Sequence, residues 1–239
     1  MRYTAYVILF FCIGCNQPES ALQASEQKKD SLMTLQSRIN YTTVLAKFKM
    51  VAFDTLAAFS PGDAEEEEAS PYIGIPMDSI EALVLFPGEA FSAYGNPQFF
   101  AVYRFEIDTI KTGLLVRAPS HYGPSAIKLL VFNKQKNGIT DYGQLADSWG
   151  DGGYIERQKA WLFKTAEQEL QCFVWMEENN EEGDNDSDTA IGANSATKVH
   201  HRYALLDLSG PRRDTITTNS TVLLRDFGHL LTKTDNINP

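Results

Sequence analysis

From Gln98 to Asp108 the side chains alternate with a period of two. Phe99, Ala101, Tyr103, Phe105 and Ile107 fall on one side, and Phe100, Val102, Arg104 and Glu106 on the other. Successive side chains of an extended chain point to opposite faces, so this pattern predicts a strand whose first set meets a core. Lys111 to Ala118 follows after a tight connection. Ala126 to Asn133 is apolar at nearly every position, which predicts a central strand covered on both faces. The next link ends in Asn137-Gly138, a pair that supplies positive φ to a hairpin turn, so Gly138 to Ala146 should return antiparallel. Ser148 to Gly153 reads as the next reversal, with Tyr154 to Thr165 leaving it as a long strand and Glu169 to Glu177 pairing back. Thr197 to Leu208 and Asp214 to Thr218 continue the series, and Val222 to Leu224 reads as an edge strand.

The N-terminal part is less regular. Asp30 or Ser31 is placed to cap a short helix with Leu32, Leu35 and Ile39 on one face. Thr43 to Asp54 alternates as a strand does, although Val44, Phe48 and Val51 also fit helical spacing; the strand reading is preferred. Glu81 to Phe86 is a short apolar segment closed by Pro87-Gly88. About eight or nine strands linked by hairpins, with no helix long enough for a parallel crossover, predict a mainly β protein. Its expected form is an antiparallel meander, as a curved sheet, a sandwich or a barrel, with a short N-terminal helix.

The first residues change the picture from fold to location. Arg2 precedes an apolar run, Tyr6 to Ile13, that is far too short to span a bilayer as a helix. The run ends in Cys12-Ile13-Gly14-Cys15, which resembles the lipobox of bacterial lipoproteins, with Cys12 where that signal usually has Leu. The resemblance implies that residues 1–14 are a removed signal peptide and that Cys15 carries the lipid. It places the chain in the cell envelope, held to a membrane. The competing expectation is an ordinary cleaved signal on a secreted protein. Residues 15–29 then form a polar tether, 30–231 one β-rich domain, and 232–239 a tail. With Cys12 removed and Cys15 acylated, Cys172 has no partner for an intramolecular disulfide and reads as a small buried hydrophobe.

Charge adds little. The formal charge of -10 is concentrated in two stretches, Asp63 to Glu68 and Glu177 to Asp188, which read as solvated loops and leave the remainder close to neutral. No basic stripe occurs, which argues against nucleic acid as a partner.

Candidate chemistry gathers near one reversal. Tyr142, Asp147, Trp149, Asp151 and Tyr154 are the proposed ligand-binding residues: the aromatics offer a stacking platform and the carboxylates polar contacts for a sugar or peptide. Asp141, Asp147 and Asp151 with the neighbouring glycines also suit a cation, but match no known calcium-loop spacing, and turn chemistry is the preferred reading of them. Asp184 to Asp188 resembles the start of an EF-hand loop, then departs from it at Thr189 and Ser195. His200 and His201 point to opposite faces of a strand and cannot share a metal. Trp161, Phe163, Phe173 and Trp175 are assigned to the core. No metal, cofactor or catalytic residue is expected.

Six triplets of the form Asp, Ser or Thr, then an aliphatic residue or Ala begin at Asp30, Asp54, Asp78, Asp108, Asp188 and Asp214. They resemble the O-glycosylation signal that one group of Gram-negative bacteria uses on exported proteins. Thr189 is the expected acceptor, since strands are expected to bury several of the others.

Three functional expectations follow. The leading one is a lipid-anchored, non-enzymatic envelope module that binds a protein or glycan. The others are a carbohydrate hydrolase using Asp147, Asp151 and Glu156, and a barrel carrying an apolar ligand.

Overall fold

Eight strands in unbroken sequence order, each antiparallel to the next, form the body of the protein. The structure is a computed structural model that describes residues 41–60, 70–86, 99–120, 125–151, 154–181, 197–210 and 214–232, all within one compact unit starting at Asn40. The meander runs β4 (Phe100–Glu106), β5 (Lys111–Ala118), β6 (Ala126–Asn133), β7 (Gly138–Asp151), β8 (Tyr154–Lys164), β9 (Leu170–Glu181), β10 (Thr197–Asp207) and β11 (Asp214–Thr217). Three short strands precede it: β1 (Lys49–Met50) lies parallel to β4, β2 (Thr55–Phe59) pairs with β8, and β3 (Ile75–Pro76) pairs with β4. Helices α1 (Tyr41–Ala46), α2 (Ser79–Leu85) and α3 (Ser220–Leu231) complete the described chain.

The alternation that predicted β4 is obeyed: Phe99, Ala101, Tyr103, Phe105 and Ile107 are all buried. Asn137 adopts φ 48° in the β6–β7 turn, as the hairpin requires. Gly113 faces Phe105 across the β4–β5 pair, and a Cβ there would lie 2.4 Å from the Phe105 ring. Phe105 is itself wedged edge-on against Phe53 and fully buried, so the ring has no room to retreat. Gly113→Ala is therefore expected to cost about 1–3 kcal/mol, read as a lower urea midpoint at unchanged m-value.

The sheet divides at β7. Up to Ala146 this strand pairs with β6; from Asp147 onward it pairs with β8. β8 divides in the complementary way, taking β7 as neighbour over Tyr154–Gln158 and β2 over Lys159–Phe163. At the fork the Gln158 side-chain amide donates to the backbone carbonyls of Gln144 and Leu145, both at 3.0 Å, satisfying acceptors where β7 turns away. The two wings meet over one core. Tyr103, Leu115, Ile127 and Leu129 come from the first wing, and Leu56, Ala160, Leu162, Cys172 and Val174 from the second. Tyr72 joins this core and closes its one polar atom by donating to the Ala57 carbonyl at 2.6 Å. A second, smaller core lies on the opposite face of the second wing, beneath α3. β2 serves both cores, with Leu56 and Ala58 in the first and Ala57 in the second.

Several expectations are corrected. The strand path ends at β1 and at β11 and does not close, so the barrel, and with it a barrel-enclosed ligand, is excluded. Val222 to Leu224 is not an edge strand but the start of α3. Asn219 caps it by accepting from the amides of Thr221 and Val222, and Leu223, Phe227, Leu230 and Leu231 recur at helical spacing toward the second core. Thr43 to Asp54 is not one strand: Val44 is buried in α1, Phe48 is buried in the turn that follows it, and only Lys49 and Met50 pair. The short apolar segment Glu81 to Phe86 is the body of α2 and its C-cap, and at the start of the helix Asp78 and Glu81 form a reciprocal capping box. Finally, β9 continues past Glu177 to Glu181, so Glu178 belongs to the strand rather than to an acidic loop. The leader, Cys15, the tether, the helix predicted after Asp30, both remaining acidic stretches, Thr189, Ser195 and His121 lie outside the described residues.

Candidate functional site

Of the residues singled out from the sequence, Asp147, Trp149, Asp151 and Tyr154 share one face of the β7–β8 hairpin, and Tyr142 stands apart. Tyr142 pairs with Leu130 of β6, in the other wing from Asp147, Trp149 and Asp151, which pair along β8. Asp147 accepts hydrogen bonds from the Ser120 hydroxyl at 2.6 Å and the Ser148 amide at 2.9 Å, so its carboxylate fastens the hairpin to the β5–β6 connection. Trp149 and Tyr154 pack edge to face at 4.9 Å between ring centroids. The Tyr154 hydroxyl donates to Glu156 at 3.0 Å. Desolvation, then Glu156, hold the phenol proton above its ordinary range. Arg202 lies 3.7 Å from Glu156 and is hydrogen-bonded to Glu178. This corner is a set of polar groups already engaged with one another. Among the described residues, no three His, Cys, Asp or Glu side chains converge as metal ligands do.

The opposite face of the second wing is different. The registers of β8, β9 and β10 stack its outward side chains in rows across the three strands. The first row is Trp161, Phe173 and Leu205, sealed by Leu223, Phe227 and Leu230 of α3. The second row is Lys159, Trp175 and Tyr203, and the third is Arg157, Glu177 and His201. α3 ends over the second row at Leu231, leaving a hollow of about 220 Å3 lined by Lys159, Trp161, Trp175, His201, Tyr203 and Leu231.

Within this hollow the rings form a continuous strip. Trp175 and His201 stack at 5.8 Å and 25°, His201 and Tyr203 follow at 6.5 Å, and Tyr203 lies parallel to buried Phe173 at 6.2 Å and 6°. The Lys159 ammonium stands 5.6 Å from the Trp175 ring centre. At the outer rim Glu177 is held 3.3 Å from Arg157 and 3.9 Å from His201. The strip thus offers flat apolar faces edged by an ammonium, a guanidinium, an imidazole and a carboxylate. That combination can stack against a ring and hydrogen-bond groups on its periphery.

Of these residues the sequence reading placed Trp175 in the core and set His201 aside. Alternation alone puts Trp175 and Phe173 on one face, but the point where the helix stops covering that face is invisible without the register of β8 against β9 and β10. The signal that was available is the charged continuation of the same alternation, Arg157 on one strand and Glu177 on the next.

Fold and site together define a mainly β protein with one open, folded sheet and a half-covered aromatic face. Comparison with protein-family models, with curated proteins and with solved structures found no match in any of the three.

Proposed function

We propose that this chain is a lipid-anchored cell-envelope module that binds glycan through the strip formed by Trp175, His201 and Tyr203. The observation that carries the reading is the strip itself: aromatic faces left open by α3 beside donors and acceptors. Apolar C–H faces of a pyranose stack on such rings while its hydroxyls reach the rim. The hollow falls below the roughly 300 Å3 at which sites for drug-sized ligands begin, so it suits one sugar unit of a longer chain lying along the sheet. The hydrolase alternative is less well supported, because the carboxylates of Asp147 and Glu156 are both engaged within their own corner.

The anchor rests on Cys12-Ile13-Gly14-Cys15. A fatty-acid label fed to cells is expected to enter the wild-type chain and to be absent from Cys15→Ala; equal labelling of both would remove the anchor from this reading. For the binding claim, the mature chain applied to an array of envelope-type saccharides is expected to retain a subset of them. Retention of none would overturn it.

A further inference from the structure

Six of the fifteen aspartates open an Asp, Ser or Thr, then aliphatic or Ala triplet. Ser and Thr fill about one position in eight and residues of the third class about one in three, so chance places roughly one such triplet in this chain. Two structural causes account for parts of the excess. Capping explains two of the acids: Asp78 accepts from the amides of Ile80 and Glu81, and Asp108 from those of Ile110 and Lys111. Turn chemistry, however, asks nothing of the third side chain. Core packing explains Leu56, yet Ile80 and Ile216 are each 48% exposed.

What the four described triplets share is their hydroxyl. Thr55, Ser79, Thr109 and Thr215 are all exposed, contrary to the expectation that strands would bury several of them. Each also stands where a second protein can approach: Thr55 and Ser79 open β2 and α2, Thr109 sits in the β4–β5 turn, and Thr215 lies on β11 at the end of the strand path. An acid, an exposed hydroxyl and an aliphatic side chain that packing does not require are what a modifying enzyme needs to read.

We propose that Ser79, Thr109 and Thr215 are acceptors for O-linked glycosylation; Thr55 is left out because Leu56, the third residue of its triplet, is buried in the core. The donor is a sugar activated as a nucleotide or polyprenyl phosphate ester. The side-chain oxygen attacks the anomeric carbon, the new C–O bond replaces the bond to phosphate, the phosphate ester leaves with the electron pair, and the transferase takes the hydroxyl proton. This inference rests on the chain being exported, as the proposed function has it.

Intact-mass spectrometry of the full chain, purified from the organism that encodes it, tests the proposal. A processed chain is expected to be heavier than its sequence by sugar residues, with fragmentation placing them on these three hydroxyls. Thr109→Ala and Ser79→Ala are expected each to remove one glycan. Asp108→Asn retains an oxygen that can cap the same turn, so it is expected to lose the Thr109 glycan with its melting temperature unchanged. A glycan persisting on Thr109 in Asp108→Asn overturns recognition of the triplet. A processed chain at its bare mass overturns the glycosylation alone, whereas a bare chain that keeps its leader overturns export as well.

Discussion

Phe173→Ala is expected to lower the free energy of unfolding by about 3–5 kcal/mol, a large part of the roughly 5–15 kcal/mol that holds a typical domain together. Phe173 is fully buried at the centre of the second wing. Its ring is stacked 5.5 Å from Trp161, 5.3 Å from Phe227 and 6.2 Å from Tyr203, with sheet on one side and α3 on the other. Those neighbours are fixed by strand register or by the helix, so the space left by the ring cannot close. Equilibrium urea unfolding followed by tryptophan fluorescence measures the loss. A cost under about 1 kcal/mol would mean that α3 does not seal this face as described.

Trp175→Ala is expected to weaken saccharide binding at least tenfold, or about 1.4 kcal/mol, with a much smaller loss of stability than Phe173→Ala. The difference follows from position: Trp175 lies one row farther along the same face, half-buried where the helix ends. His201→Ala is expected to weaken the same ligand, and Trp149→Ala, on the other face of the β7–β8 hairpin, to leave it unchanged. Titration by isothermal calorimetry reads all three. If Trp149→Ala cost more affinity than Trp175→Ala, the site would move to the corner with Tyr154 and Glu156.

The strands were legible because their pattern is enforced at every second residue. β4 was read from its alternation, whereas Ala126–Asn133 and Lys111–Ala118, buried on both faces, were bounded by the turn residues on either side. Helices shorter than two turns gave no comparable signal. In Glu81 to Phe86 the apolar residues are too few to show a period, and the deciding information was the Asp78-to-Glu81 capping pair. α3 was missed for a different reason: Val222, Leu223 and Leu224 form a β-like run, and the helical period emerges only when Phe227 and Leu230 are included. The candidate site was legible only as composition. Trp175 and His201 lie on strands joined by a long link, so nothing local in the sequence sets which of their neighbours share a row.

The fork at β7 has a kinetic consequence. Hairpins β4 to β9 close through short links, but Thr55–Phe59 must find Lys159–Phe163 across roughly one hundred residues. β2 therefore docks late, and because it contributes to both cores, neither is complete until it arrives. Until then half of one β8 edge stands open with its backbone groups unpaired, beside apolar Ala160, Trp161 and Leu162. A second refolding copy presents the same open edge, so the interval before β2 docks is when this protein is most exposed to edge-to-edge association.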